Sequence, residues 1–384
     1  MERYGAIVIG AGVVGCSVAF HLTRSGCRHV LILERERLPG AGSTSRANGG
    51  IRAQFTTSVN IAMSLKSMEI LDALAGEIGS PPLYQKAGYL FLTDDDERLA
   101  AMERAVEFQR EAGVSVDLLG PRQVRALAPW IEASRVAGGT FGHRDGFIDP
   151  GGLTSFFLAG ALGNGASVRY EAGVRSIGRQ ARGGFRVETG TASFEGETVV
   201  NAAGAWAAGI ASMVGVELPV APVRRHIVVS GPCRTLPRLI PMTVDADTGV
   251  LLRREGERVL VAFANRDEPP GFVTSFDPDF VERIAEPLER RFPLVAAAGV
   301  DLGRSWAGLY EVTPDHHAIL GEALAVPGFY LATGFSGHGV MHAPATGACI
   351  AELIVHGRCA SVDIEPLGLG RFAGGATLHE SLVL

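Results

Sequence analysis

Apolar positions along this chain change period from segment to segment. Ala6 to Ile9 form an unbroken apolar run, the pattern of a short strand buried on both faces. Val14, Val18, Ala19 and Leu22 then recur at helical spacing, and Gly26 follows as a stop signal. Val30 to Leu33 read as a second buried strand. Further on, "DDDERLAAMERAVEFQREAG" (94–113) has the charged, amphipathic pattern of a surface helix that ends at Gly113. "HIVVSGP" (226–232) and "RVLVAFA" (258–264) are strand-like. "VVNAAGAWAAGIASMVG" (199–215) reads as a strand, a turn of small residues and a helix carrying Trp206. Near the C-terminus a long helix is predicted after the turn "GFSGHG" (334–339). Met341, Ala345, Ala348, Cys349 and Leu353 mark one side, Pro344 falls in its first turn, and Gly357 follows its end.

The N-terminal apolar run is no membrane span. Glycines 10, 12 and 15 interrupt it, and no basic segment precedes it. With 47% hydrophobic residues, 384 positions suffice for a large core and suggest two domains. A net charge of −6 without a long basic block argues against nucleic acid or an anionic membrane as partner. Five scattered cysteines, with no CxxC pair, argue against a disulfide framework or a metal site. They point to a reducing, cytoplasmic location.

The first strand, turn and helix carry chemistry. Gly10, Gly12 and Gly15 make G-x-G-x-x-G. The first allows a tight turn, the second a close approach to a pyrophosphate, and the third close packing of helix on strand. The helix N-terminus offers N–H groups and partial positive charge to phosphates. Glu34 ends the second strand, where a carboxylate can accept hydrogen bonds from ribose hydroxyls. This pattern predicts a dinucleotide but does not separate NAD from FAD.

Two other stretches bear on that choice. "GAGSTSRANGGIRAQF" (40–55) combines glycines with Ser43, Thr44 and Ser45, whose hydroxyls can reach phosphate. Ala202, Ala203 and Gly204 let a backbone graze a second part of the same ligand. Together with "DGFIDP" (145–150), "WAGLYEVTPDHHAILG" (306–321) and "GFSGHGVMHAPATG" (334–347), these pieces resemble the FAD-dependent amine and D-amino acid oxidase superfamily. Within it they are most similar to the branch of sarcosine oxidase β subunits and L-proline dehydrogenase β subunits. They run in family order over almost the whole chain.

That resemblance implies an α/β chain. A Rossmann-like FAD domain (1–84, 143–217 and 315–384) would be interleaved with an α+β substrate domain (85–142 and 218–314) built on a mainly antiparallel sheet. It assigns to the cofactor Val13, Val14, Arg35, Asn48, Gly49, Gly50, Val174, Trp206 and Gly308, beside the glycines, hydroxyls and Glu34 already named. It also assigns the turn Gly334, Phe335, Ser336, Gly337, His338 and Gly339, with Val340 and Met341. The helix starting there points positive charge at the flavin ring. The implied reaction is oxidation of a C–N bond by hydride transfer to flavin N5, giving an imine that hydrolyses.

Arg52 matches the arginine that holds the substrate carboxylate in monomeric sarcosine oxidases. Tyr310 stands where glycine and D-amino acid oxidases carry an arginine, and His338 offers a further hydrogen bond at the ring. Arg253 and Arg254 are weaker carboxylate candidates. Three departures from the family matter. Gly308 occupies the position of a flavin-linking cysteine, so FAD is expected to be noncovalent. Met341 replaces a lysine that assists carboxylate binding. No lysine stands around "VLVAFAN" (259–265), where related oxidases activate oxygen, which favours a dehydrogenase. The expected partners are a small amine or amino acid and an electron acceptor, oxygen or another carrier. Other subunits or a homo-oligomer stay open. So does a second reading, since "GGIRAQF" also resembles a flavoprotein assembly factor: a partner-dependent flavoprotein without turnover of its own.

Overall fold

The computed structural model describes residues 3–78, 83–263, 265, 267–375 and 377–380. The expected domain limits at 1 and 384, and Ala264 of the 259–265 stretch, lie outside the described residues.

The short apolar runs assemble into a parallel sheet. Arg3–Ile9 lies between Val30–Leu33 and Ser193–Asn201. Ser167–Arg169 extends the sheet beyond Val30–Leu33, and Phe329–Thr333 extends it beyond Ser193–Asn201. Val8 sits opposite both Ile32 and Val200, and all three are buried. Burying each such side chain stabilises the fold by about 1.5–3 kcal/mol, which is why these strands need no polar face. Ile319–Glu322 adds an antiparallel edge, and Val174–Arg179 with Phe185–Thr189 adds an antiparallel pair at the start of Ser193–Asn201.

The helix Val13–Arg24 and the final helix Gly339–His356 pack on one face of this sheet, and small residues set their spacing. A Cβ at Gly347 would lie 2.2 Å from the Ser17 hydroxyl and 2.6 Å from its carbonyl oxygen. The final helix corrects one expectation. Pro344 lies in its second turn, because the helix already starts at Gly339. A proline there withholds the N–H that the Val340 carbonyl would otherwise accept. Gly357 adopts the left-handed conformation (φ 73°) that ends the helix, as expected.

A second sheet runs in the order Trp306–Val312, Ala221–Val229, Arg258–Phe263, Val250–Glu255, Met242–Asp245, Tyr89–Thr93, Gly138–Gly142, Val116–Leu119. Its neighbours are antiparallel except for Met242–Asp245 beside Tyr89–Thr93. The amphipathic 94–113 segment forms the helix Asp96–Glu111, with the Asp95 carboxylate accepting the Arg98 N–H at 2.8 Å. A small third sheet joins Gly50–Ile51, Gly146–Ile148 and Tyr84–Gln85. No helix among the described residues is long and apolar enough to cross a membrane, and all five cysteines are free.

One consequence of the topology positions the site. Gly10 follows Ile9, Glu34 follows Leu33, Ala202 follows Asn201 and Gly334 follows Thr333. Four separate motifs thus end at the same carboxyl edge of one parallel sheet, where ligands of open α/β sheets bind.

Candidate active site

A cleft of about 470 Å³ opens along that carboxyl edge, and residues of both large sheets line it. That is within the usual range of about 300–1,000 Å³ for small-molecule sites.

At one end stands the N-terminal glycine turn. Gly10 has φ 108°, and a Cβ on it would lie 2.4 Å from the Ala202 carbonyl oxygen. A Cβ on Gly15 would lie 2.0 Å from the Gly10 carbonyl oxygen, so Gly15 serves helix packing and does not line the cleft. Two polar residues are more occupied than their motif suggests. The Glu34 carboxylate accepts the Ala11 N–H at 2.7 Å and the Glu36 N–H at 2.9 Å. The Thr44 hydroxyl accepts the Val13 N–H at 3.1 Å, so it caps the helix that was expected to offer that N–H to phosphate. Each keeps capacity for a ligand. A carboxylate has about four acceptor sites, and the Thr44 hydroxyl still has its proton to donate. Gly12, Val13, Val14, Ser43 and Val174 line the same end. Arg35 lies over Trp206, with Cζ 3.4 Å from the ring centroid, and Trp206 stacks on Phe272 at 5.5 Å. Ser45 directs its hydroxyl to the Gly42 carbonyl at 3.3 Å and is off the lining.

The middle of the cleft is bounded by Asn48, Gly49, Gly50, Ala202, Ala203, Gly204 and Gly308. Gly49 has φ 78°, and a Cβ there would lie 2.3 Å from the Ile148 carbonyl oxygen. Both side-chain amide atoms of Asn48 are buried without a partner. Each such orphan costs about 1–3 kcal/mol, a cost that a polar ligand in the cleft removes. An orphaned amide and a cradle only glycine can form fit the expected FAD.

The C-terminal turn closes the far wall. Gly334 (φ 75°), Ser336 (φ 51°) and Gly337 (φ 103°) bend the chain sharply between the strand and the final helix. The Ser336 hydroxyl accepts the Thr313 N–H at 3.1 Å, which secures this unusual backbone. Phe335, Ser336, Gly337, His338, Gly339, Val340 and Met341 all line the cleft, whereas Gly334 does not. The helix thus starts at the cavity, with its positive end toward it.

A polar chamber adjoins this turn. Arg52 is 1% exposed, and its guanidinium carbon lies 3.9 Å from the Phe55 ring centroid. It donates to the Gln54 carbonyl. Burial lowers its pKa from the usual arginine value. The segment that carries it is pinned by Asp145, which accepts the Ala53 N–H and a Gln54 amide N–H, each at 2.9 Å. Burial pushes the Asp145 carboxyl up to about 6. His338 meets Phe55 edge to face at 5.0 Å, and burial beside Arg52 holds its pKa well below the usual histidine value. It is therefore neutral and offers one donor and one acceptor. Tyr310 is half-buried and packs against Gly337. Arg52, Tyr310 and His338 all line the cleft, so the fold gathers the three from distant parts of the chain.

Arg253 and Arg254 lie off the lining and are corrected to structural roles. Arg253 donates to the Asn48 carbonyl and Arg254 to the Cys233 carbonyl at 3.0 Å. The sequence reading also missed residues. Arg46, Tyr89, Arg225, Met242 and Glu311 line the cleft. The Glu311 carboxylate accepts the Thr333 hydroxyl at 2.7 Å. A signal for Arg225 was present. Adjacent arginines on a strand point to opposite faces, so Arg224 and Arg225 do not both face solvent.

A model of the family described as DAO, FAD dependent oxidoreductase, matches residues 6–353. FAD-dependent oxidoreductase domain-containing protein 1 of Bos taurus is 31% identical over 433 residues, covering 100% of this chain and 87% of that protein. Mitochondrial dimethylglycine dehydrogenase of Mus musculus is 28% identical, over 93% of this chain but only 43% of its own length. The crystal structure of L-proline dehydrogenase from P. horikoshii superposes with a TM-score of 0.91, at 28% identity, covering 98% of this chain and 100% of that one. The glycine turns gathered at one sheet edge, the cleft they enclose and these matches lead to one conclusion: the chain belongs to the DAO family of FAD-dependent oxidoreductases.

Proposed function

We propose that this chain binds FAD noncovalently and oxidises the C–N bond of a small amine or amino acid, such as sarcosine, proline or a related secondary amine. The observation that carries the reading is the buried Arg52 guanidinium on the wall of the FAD cleft, beside neutral His338 and Tyr310. Dimethylglycine dehydrogenase and L-proline dehydrogenase, by their names, act on substrates of this kind. FAD supplies the hydride acceptor for the C–H bond next to nitrogen, and the resulting imine hydrolyses.

The chain's own part is to bind and orient. Arg52 takes the substrate carboxylate in a bidentate pair that water screens little. The same desolvated cation disfavours a protonated amine nearby, so the amine enters neutral and needs no dedicated base. His338 and Tyr310 offer hydrogen bonds at the chamber wall. The turn's glycines keep that wall close to the cleft, and the final helix favours negative charge on the bound ring. Anaerobic mixing with sarcosine, L-proline and dimethylglycine should bleach the flavin with at least one of them. A flavin that stays oxidised throughout the panel would support the flavoprotein without turnover of its own.

Two properties of the cofactor and acceptor follow. Position 308 has no side chain, and none of the five cysteines lines the cleft. A Cβ at Gly308 would lie 2.8 Å from Arg46 Cβ. The purified protein should be yellow and should release all its FAD on acid precipitation; flavin retained in the pellet would show a covalent bond. The chain contains only two lysines, Lys66 and Lys86, and neither lines the cleft. They pair instead with Glu69 and Asp72, each at 2.9 Å. Reduced protein should therefore pass electrons to an artificial dye faster than to oxygen. Rapid reoxidation in air with a matching peroxide yield would make it an oxidase.

A further inference from the structure

We infer that Arg225 holds a second anionic group of the substrate, so that the chamber is built for an amino acid bearing an additional carboxylate. This rests on the proposed amine oxidation and names its substrate class.

The strand Ala221–Val229 forces the two neighbouring arginines apart. Arg224 turns to the Glu268 carboxylate at 2.7 Å and to Asp277 at 3.7 Å. Arg225 turns into the cleft. Its only hydrogen bond among the described residues runs from Nη1 to the Arg224 carbonyl at 3.0 Å, and no carboxylate among them lies within ion-pair distance. Its Nε is buried without a partner. Arg253, Arg254 and Arg291 share that last feature, but none of them lines the cleft. Glu311, on the same wall, already accepts the Thr333 hydroxyl and backbone N–H groups of Gly334 and Phe335.

The placement relative to the first cation sets the ligand. The Arg225 guanidinium carbon lies 5.4 Å from the Tyr310 ring centroid, and Tyr310 is also within electrostatic reach of Arg52. Arg52 is fully buried and Arg225 half-buried, and burial lowers the pKa of each. In the proposed reading Arg52 takes the first carboxylate. Arg225 faces the same cleft with a buried Nε that has no partner, and a second carboxylate on the same molecule supplies one. Apolar Met242, Leu251 and Phe263 line the same cavity and suit a short aliphatic spacer.

The test uses the FAD-loaded protein and calorimetric binding of succinate and propionate, which differ by one carboxylate and are not oxidised. Succinate should bind the native protein at least tenfold more tightly. In Arg225→Gln the preference should fall below about threefold, and in Arg225→Lys, which restores the charge, it should return. No preference in the native protein, or equal weakening of both ligands in Arg225→Gln, would overturn the assignment. If Arg225→Gln fails to fold, Arg225→Lys decides alone, because loss of preference in a charged variant contradicts a charge-based site. Flavin bleaching by N-methyl-DL-aspartate and N-methyl-DL-alanine separates the two claims. Succinate preference without bleaching by either amino acid would sink amine oxidation and leave the two-anion chamber standing. Bleaching by both at equal substrate concentrations, without succinate preference, would do the reverse.

Discussion

Arg52→Ala is expected to slow flavin reduction by a carboxylated substrate roughly 30- to 1000-fold in rate over Kd, the equivalent of losing about 2–4 kcal/mol from a buried charge-assisted pair. The magnitude follows from where the guanidinium sits. It is 1% exposed, it lies 3.9 Å over the Phe55 ring centroid, and the Phe91 ring is on a further side at 5.5 Å. A carboxylate brought to that part of the chamber in Arg52→Ala loses its bidentate partner. An amine without the carboxylate never used the contact and should lose little. Arg52 also feels the charges of Asp145 and Glu380, which makes a purely structural role the competing explanation. Stopped-flow reduction with a carboxylated substrate and its decarboxylated analogue, alongside FAD content, distinguishes them. Equal losses on both substrates, or loss of FAD, would assign Arg52 to the cofactor or to folding.

The turns of this site that could be read from the sequence share one physical property. Each is a local backbone requirement written in glycine or in a short polar residue next to it. Gly10, Gly49 and Gly337 have positive φ, and a side chain on any of them meets backbone or a ring within 2.5 Å. Such constraints fall on single residues, so they survive in sequence as G-x-G-x-x-G, "NGG" and "GFSGHG". Three of the residues that were missed, Arg225, Tyr89 and Met242, depend on long-range pairing. Arg225 enters the cleft because Ala221–Val229 pairs with Trp306–Val312 in the register that sets Arg225 against Gly308. Tyr89 and Met242 reach it through a parallel pairing across more than 150 positions, Tyr89 directly opposite Met242. Nothing local in "GYLFL" or "IPMTV" reports that register. The paired Arg253 and Arg254 misled for the same reason. Their strand places them under the Asn48 loop and the Cys233 turn, where they satisfy carbonyls. Thr44 shows a third case. Its hydroxyl was expected to reach phosphate, and in the fold it accepts the Val13 N–H. A hydroxyl one helix turn from a phosphate site can serve either, and only the folded distance decides.

Gly337→Ala is expected to destabilise the protein by roughly 2–5 kcal/mol and to weaken substrate binding at the same time. Two costs add. An L-residue held at φ 103° is strained, by about 1–2 kcal/mol or more. The new Cβ would also lie 2.5 Å from Tyr310 Cε2 and 2.8 Å from Cζ, and overpacking of this kind costs about 1–3 kcal/mol. The ring cannot simply retreat. It is half-buried against the turn, and its strand is held in a continuous antiparallel register from Trp306 to Val312. The adjacent Ser336 is fixed by its bond from the Thr313 N–H, so the turn cannot swing away either. The strain therefore falls on Tyr310, at the chamber wall between the turn and Arg225. A double-mutant cycle isolates that contact. In a Tyr310→Ala background the clash is gone and only the backbone strain remains, so Gly337→Ala should cost about 1–3 kcal/mol less than in the native protein. Denaturant midpoints of the four FAD-loaded proteins give the comparison. Costs that add across the two positions would mean that Gly337 is needed only for its backbone angle, and that the turn does not set the position of Tyr310.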